Sequence, residues 1–188
     1  TYDSVVLEND IFKATFMPVL GGRLLSLFHK PSNRELLNRN PVFQPANLAI
    51  RNAWFSGGIE WNVSQFGHTF ATCSPVYAAA ITGADGEPGL RLYEFERCKK
   101  LYWQIDFYLP PGSPWLIAHT RVANPNDAET SMYWWSNTAV DERPDVRVLA
   151  PSRNVIYTDL REQEHQFGFG PMPHLLSLIH ISEPTRPE

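Results

Sequence analysis

Hydrophobic and polar residues alternate along most of this chain with a period of two. Tyr102–Leu109 is the clearest run: Trp103, Ile105, Phe107 and Leu109 fall on one side, and Tyr102, Gln104, Asp106 and Tyr108 on the other. That pattern predicts a half-buried strand. Shorter β-type runs are Val5–Leu7, Ile11–Met17, Arg23–His29, Val76–Ile81, Leu90–Glu96, Trp115–Ala123, Met132–Val140, Val146–Leu149 and Val155–Tyr157. Turn clusters separate them: Glu8-Asn9-Asp10, Lys30–Arg34, Gly83–Gly86, Pro110–Pro114 and Asn124–Asp127. Gly21-Gly22 reads as a bend at a strand entry, and Asn38–Asn52 as irregular. No segment carries a sustained helical period with caps. Short strands divided by Gly/Pro turns predict an all-β, antiparallel sandwich.

The stretch that breaks this rhythm is Arg51–His68, RNAWFSGGIEWNVSQFGH. It gathers Arg51, Glu60 and His68 with Trp54, Phe55, Trp61 and Phe66, the amides Asn52 and Asn62, and the pair Gly57-Gly58. Flat aromatic faces stack on the C–H faces of a sugar ring, and carboxylate, imidazole and amide groups bind its hydroxyls. The glycine pair permits positive φ or close approach of backbone to a ligand. Desolvation among indoles favours the protonated carboxyl that a general acid needs, so Glu60, with His68, is the candidate catalytic group. The competing reading is a buried aromatic corner whose polar groups are satisfied internally.

A second cluster is Tyr133-Trp134-Trp135-Ser136-Asn137. On a strand, Tyr133, Trp135 and Asn137 share one face and Trp134 and Ser136 the other. One tryptophan is expected in the core, the other beside a cleft. Candidate substrate-binding residues are therefore Arg51, Trp54, Trp61, Asn62, Trp135 and Asn137. His119 lies mid-strand and His29 ends a strand beside a turn; both read as ordinary core or surface histidines.

The 188 residues are 43% hydrophobic, which suits one domain-sized core. The formal charge of −4 contains no basic block, so nucleic acid is not an expected partner. No run reaches membrane-spanning length and no signal peptide is visible, which leans towards the cytoplasm and away from a membrane. Cys73 and Cys98 have no metal spacing and read as free thiols, with a disulfide between them the alternative. No metal triad, nucleophile elbow or phosphate loop is present, so no cofactor is expected.

Gly21-Gly22-Arg23 leading to Leu25-Ser26-Leu27, then Ser56–Asn62, Gly67-His68, Val122–Pro125 and an aromatic strand ending at Asn137 resemble the galactose mutarotase-like superfamily of β-supersandwiches. The order resembles more closely a domain of unknown function found before tetratricopeptide repeats in bacterial proteins. The resemblance covers about Ser4 to Asp159. It implies a cleft on the concave face of a large sheet, open to carbohydrate, in an epimerase- or glycosidase-like or a purely sugar-binding protein. It also implies tetratricopeptide repeats elsewhere in the polypeptide, for which a non-catalytic structural or interaction role is the alternative. Aldose epimerases of the superfamily place a general-acid His four residues before the strand's Asn, where Tyr133 stands here, and a His before Gly-Gly, where Ser56 stands. Their general-base Glu comes from a late strand with no counterpart here.

Leu176–Arg186, LSLIHISEPTR, resembles translated read-through of a sequencing-library adapter. On that reading 1–175 is a partial sandwich domain, 176–188 is a non-native tail, and the reading frame is cut near Leu175. Missing strands would leave an unpaired edge and poor solubility.

Overall fold

A computed structural model describes residues 2–42, 55–63, 68–141, 154–159 and 166–171. Expectations placed on Arg51, Asn52, Trp54, Phe66, Gly67, the strand 146–149 and the tail 176–188 lie outside these residues. The chain divides into two compact units, Thr1–Asp141 and Glu142–Glu188.

The first unit is the predicted antiparallel β-structure. Its first sheet has six strands: β1 (Val5–Glu8), β2 (Phe12–Met17), β3 (Arg23–His29), β4 (Arg34–Glu35), β5 (Ile59–Val63) and β10 (Trp134–Thr138). They run in the order β1-β2-β3-β5-β10, with β4 paired to β3. The second sheet is the meander β6 (Tyr77–Thr82), β7 (Pro88–Glu96), β8 (Leu101–Tyr108) and β9 (Ile117–Ala123). In the second unit, β11 (Asn154–Asp159) pairs antiparallel with β12 (Gln166–Pro171).

Turn chemistry sets the strand ends. Asn9 Oδ1 accepts from the backbone N–H groups of Ile11 (2.9 Å) and Phe12 (2.7 Å), closing the β1–β2 turn with a side chain. Gly21 and Gly22 adopt φ of 68° and 69°, the bend expected at the entry to β3. Trp115 falls outside its predicted strand; the Ser113 hydroxyl turns the backbone there, and β9 begins at Ile117.

The inward faces of the two sheets make one core. Phe16, Leu24, Trp61 and Val63 from the first sheet meet Leu90, Leu92, Trp103, Ile105 and Phe107 from the second. Phe107 is fully buried, with ring centroids of Phe16 at 4.6 Å and Trp61 at 5.3 Å. The predicted inward set of β8, Trp103, Ile105, Phe107 and Leu109, is buried throughout. Burial of several aromatic rings at about 2–3 kcal/mol each is what holds the sheets face to face.

Strands β4, β5 and β12 were not anticipated from the pattern. In β5, polar Glu60 and Asn62 alternate with Ile59, Trp61 and Val63, yet Glu60 and Asn62 are also buried (2% and 0% exposed). The strand keeps its alternation, but its polar side is covered by the chain rather than open to solvent. Cys73 and Cys98 are not joined in a disulfide.

Candidate functional site

The register of β5 and β10 builds the site. Trp135 lies opposite Asn62, and Asn137 opposite Glu60. Residues directly opposite in an antiparallel pair share a face, so these four side chains form a block on the face of the first sheet turned away from the core. Trp61 and Trp134 take the other face: Trp61 sits in the core, and Trp134 packs beside Trp103 with ring centroids 6.4 Å apart. The alternation expected within Tyr133–Asn137 is therefore present, one indole inward and one outward.

Trp61 does not form the exposed platform expected of it. It is 8% exposed, its ring lies against Phe107, and its indole N–H donates to the Gly22 carbonyl (3.1 Å). A ring enclosed on its faces by core side chains has none left for a ligand. Trp135 is half-buried, and its ring meets His68 in an edge arrangement at 4.9 Å.

Glu60 is the centre of a buried polar network. Its Oε2 accepts from His68 Nδ1–H (2.7 Å), and its Oε1 accepts from the Thr72 hydroxyl and faces Arg23 Nη2 at 3.7 Å. Arg23, the first residue of β3, donates through Nη1 to the Gly57 carbonyl (2.7 Å) and through Nη2 to Thr72 Oγ1 (3.2 Å). Its guanidinium lies over the Phe55 ring, 3.8 Å from the centroid. Burial pushes the Arg23 pKa below its ordinary value, and the Glu60 charge opposes that shift. Asn62 fixes the same covering segment, since its Oδ1 accepts from Thr69 N–H (2.8 Å).

Three buried donors have no partner among the described residues: Arg23 Nε, Asn62 Nδ2 and the indole N–H of Trp135. Beside the network a depression of about 280 Å³ opens between Ser56–Gly58 and Asn137–Val140, with Arg23 at its base. Gly58 holds its rim. At φ 69°, a Cβ there would stand 2.3 Å from the Leu24 carbonyl oxygen, so the crossing of β3 and β5 requires glycine.

Of the sequence candidates, Glu60, His68, Asn62, Trp135 and Asn137 come together, Trp61 does not join them, and Arg51 and Trp54 lie outside the described residues. Arg23 and Thr72 complete the network and were not singled out as site residues. Arg23 carries a signal after the fact, being a charged residue directly after a Gly-Gly bend; Thr72 carries none. His29 bonds Ser32 (2.6 Å), and His119 is exposed on β9. No group of three or more metal-binding side chains occurs among the described residues.

The sequence model of one family, described as a domain of unknown function (DUF5107), matches residues 1–169. Among solved structures, the chain is similar to a TPR-domain containing protein from Parabacteroides distasonis. The TM-score is 0.70 and the identity 28%, over 77% of this chain and 25% of that one. This chain thus spans about a quarter of the length of that protein.

Proposed function

This chain belongs to the DUF5107 family of domains of unknown function, and from that premise we propose that it serves as a non-catalytic structural and interaction domain of a larger protein carrying tetratricopeptide repeats. The observation that carries the reading is the state of Glu60. Its carboxylate is 2% exposed, and both oxygens are engaged by side chains from separate segments. A general acid must reach a substrate oxygen at hydrogen-bond distance; Glu60 instead clamps the 68–75 segment and Arg23 to β5. The similarity to a TPR-domain containing protein supports the repeat context. The test is calorimetry on the longer polypeptide with its repeats, compared with this chain alone. A single coupled transition, shifted upward from that of the chain alone, is expected. Independent transitions, or sugar turnover abolished by Glu60→Gln at unchanged stability, would overturn the reading.

A second reading, carbohydrate binding on a galactose mutarotase-like scaffold, is favoured by one observation. The unpartnered donors Asn62 Nδ2 and Trp135 Nε1 belong to cross-strand neighbours on one face, next to His68. Sugar hydroxyls are acceptors of the kind such donors need. In this reading Asn137, Arg51 and Trp54 add contacts. Titration with mono- and oligosaccharides, followed by tryptophan fluorescence, tests it: a saturable change that Trp135→Phe weakens supports it, and a flat response from folded protein removes it.

A further inference from the structure

The opposite side of the sandwich carries a second constellation. On the outer face of the four-stranded sheet, register aligns Tyr77, Tyr93, Gln104 and Arg121 across the four strands. Along β8, Tyr102, Gln104 and Asp106 follow one another on that face. Gln104 is the crossing point of the row and the column. A groove of about 450 Å³ opens here, with Arg91, Tyr93, Tyr102, Gln104 and Arg121 among its walls.

Its aromatic groups are exposed rather than packed away. Tyr77 is 61%, Tyr93 40% and Tyr102 56% exposed. Tyr77 stacks on Tyr93 at 5.2 Å with 19° between the rings, and Phe95 supports Tyr102 at 5.0 Å. These contacts hold both groove tyrosines in place before any ligand arrives, which lowers the ordering cost of binding. The polar floor is equally fixed. Arg91 grips Asp106 through Nε and Nη2, both at 2.6 Å, and the bonded carboxylate holds the guanidinium pKa above its ordinary value. Gln104 Nε2 donates to Asp106 Oδ2 (3.3 Å), so its Oε1 turns away as an acceptor. Arg91 Nη1 and Arg121 supply donors beside it.

Three ligand classes can be weighed on this chemistry. An anion needs net positive charge, but Asp106 neutralises Arg91, and the lining sets Glu94 against Arg121. An apolar helix would have to desolvate a fixed ion pair at the centre of its footprint, which is unfavourable. A neutral hydroxylated ring satisfies both sets of groups: its C–H face lies on a tyrosine, and its hydroxyls both donate and accept at Gln104, Arg91 and Arg121. We propose that the groove over Gln104, between Tyr93 and Tyr102, is a binding site for a neutral saccharide. It is distinct from the Glu60 network and does not depend on the reading of that network.

The experiment is isothermal titration of the whole chain with neutral trisaccharides (maltotriose, cellotriose, xylotriose and mannotriose) and with a trigalacturonate as the charged comparison. Tyr93→Ala, Tyr102→Ala and Gln104→Ala are compared with Trp115→Ala, an exposed position outside both the groove and the Glu60 network. All three groove positions are at the surface, and circular dichroism confirms that each variant is folded. Saturable binding of a neutral trisaccharide is expected, weakened about three- to tenfold by each tyrosine substitution and unchanged by Trp115→Ala. The proposal is overturned if none of the neutral trisaccharides binds, if trigalacturonate binds more tightly, or if binding survives the tyrosine substitutions.

Discussion

Replacing Glu60 by Gln tests what the buried network does. The substitution keeps the shape of the side chain and removes its charge. Arg23 then remains with its side chain 3% exposed and no carboxylate facing it. Breaking a buried pair from one side generally costs about 3–5 kcal/mol, because the remaining charge stays desolvated. Two features place this site at the lower end. The guanidinium keeps the Gly57 carbonyl at 2.7 Å and the Phe55 ring face at 3.8 Å, and the Arg23–Glu60 approach is 3.7 Å rather than a close contact. The expected loss is therefore about 3 kcal/mol, or about 10 °C in Tm for a domain of this size.

The assay is urea unfolding of wild type, Glu60→Gln, Arg23→Met and the double variant. If the network is a structural clamp, the double variant loses much less than the sum of the single losses, because no charge is left stranded. Its coupling energy should approach about 3 kcal/mol, with the urea dependence of each transition unchanged. A Glu60→Gln variant as stable as wild type, or single losses that add within about 0.5 kcal/mol, would refute the argument.

The other expectations are local. Gly58→Ala should destabilise by about 2 kcal/mol or more, since a Cβ at φ 69° would also meet the Leu24 carbonyl; thermal unfolding measures it. Glu8 is held below its ordinary carboxylate pKa, chiefly by its bond from Lys30. A depressed folded-state pKa gives stability that is present above the unfolded-state value and lost as pH falls through the folded one. Glu8→Gln should therefore lower the urea midpoint slightly at pH 7 and leave it unchanged below the carboxylate range. Burial and the Glu96 charge push the Cys98 thiol pKa up, while the Glu96 carboxylate also accepts from Cys98 and Lys99 N–H. Cys98 should react with iodoacetamide at pH 8 more slowly than a free cysteine, and Glu96→Gln should speed it, as mass spectrometry would show.

Strand β8 was legible because it meets the core on one face and is more open on the other. Period-two alternation in Tyr102–Leu109 identifies the inward residues of β8, and the Gly/Pro clusters mark the turns. Strand β5 was hidden for the opposite reason. Glu60 and Asn62 alternate with Ile59, Trp61 and Val63 in a run of only five residues, and a polar residue between apolar ones looks the same whether it faces a ligand or a buried partner. Local sequence marks Arg23 only as a charged residue after a Gly-Gly bend and Thr72 not at all, and neither mark says that they reach Glu60 from β3 and from the segment after His68. For the same reason Trp61 was misassigned: strand parity separates it from Glu60, but only the pairing of β5 with β3 and β10 says which parity faces the second sheet.

The two outer faces of the sandwich handle charge in opposite ways, and that difference bears on function. On the six-stranded sheet, Arg23 and Glu60 are enclosed, and their bonds run between segments of the same chain. Apart from Arg23 Nε, groups used this way are already satisfied by the fold, and a ligand would have to compete with it for them. On the four-stranded sheet, the Arg91 side chain is 37% exposed although its partner Asp106 is 6% exposed. The ion pair there is anchored from below and presents donors outward, between tyrosines already held by their neighbours. A binding surface needs groups that are fixed before the ligand arrives and still unspent when it does. By that criterion the sequence feature richest in candidate chemistry, Arg51–His68, contributes its described part mainly to holding the domain together, and recognition falls to the plainer alternating strand Leu101–Tyr108.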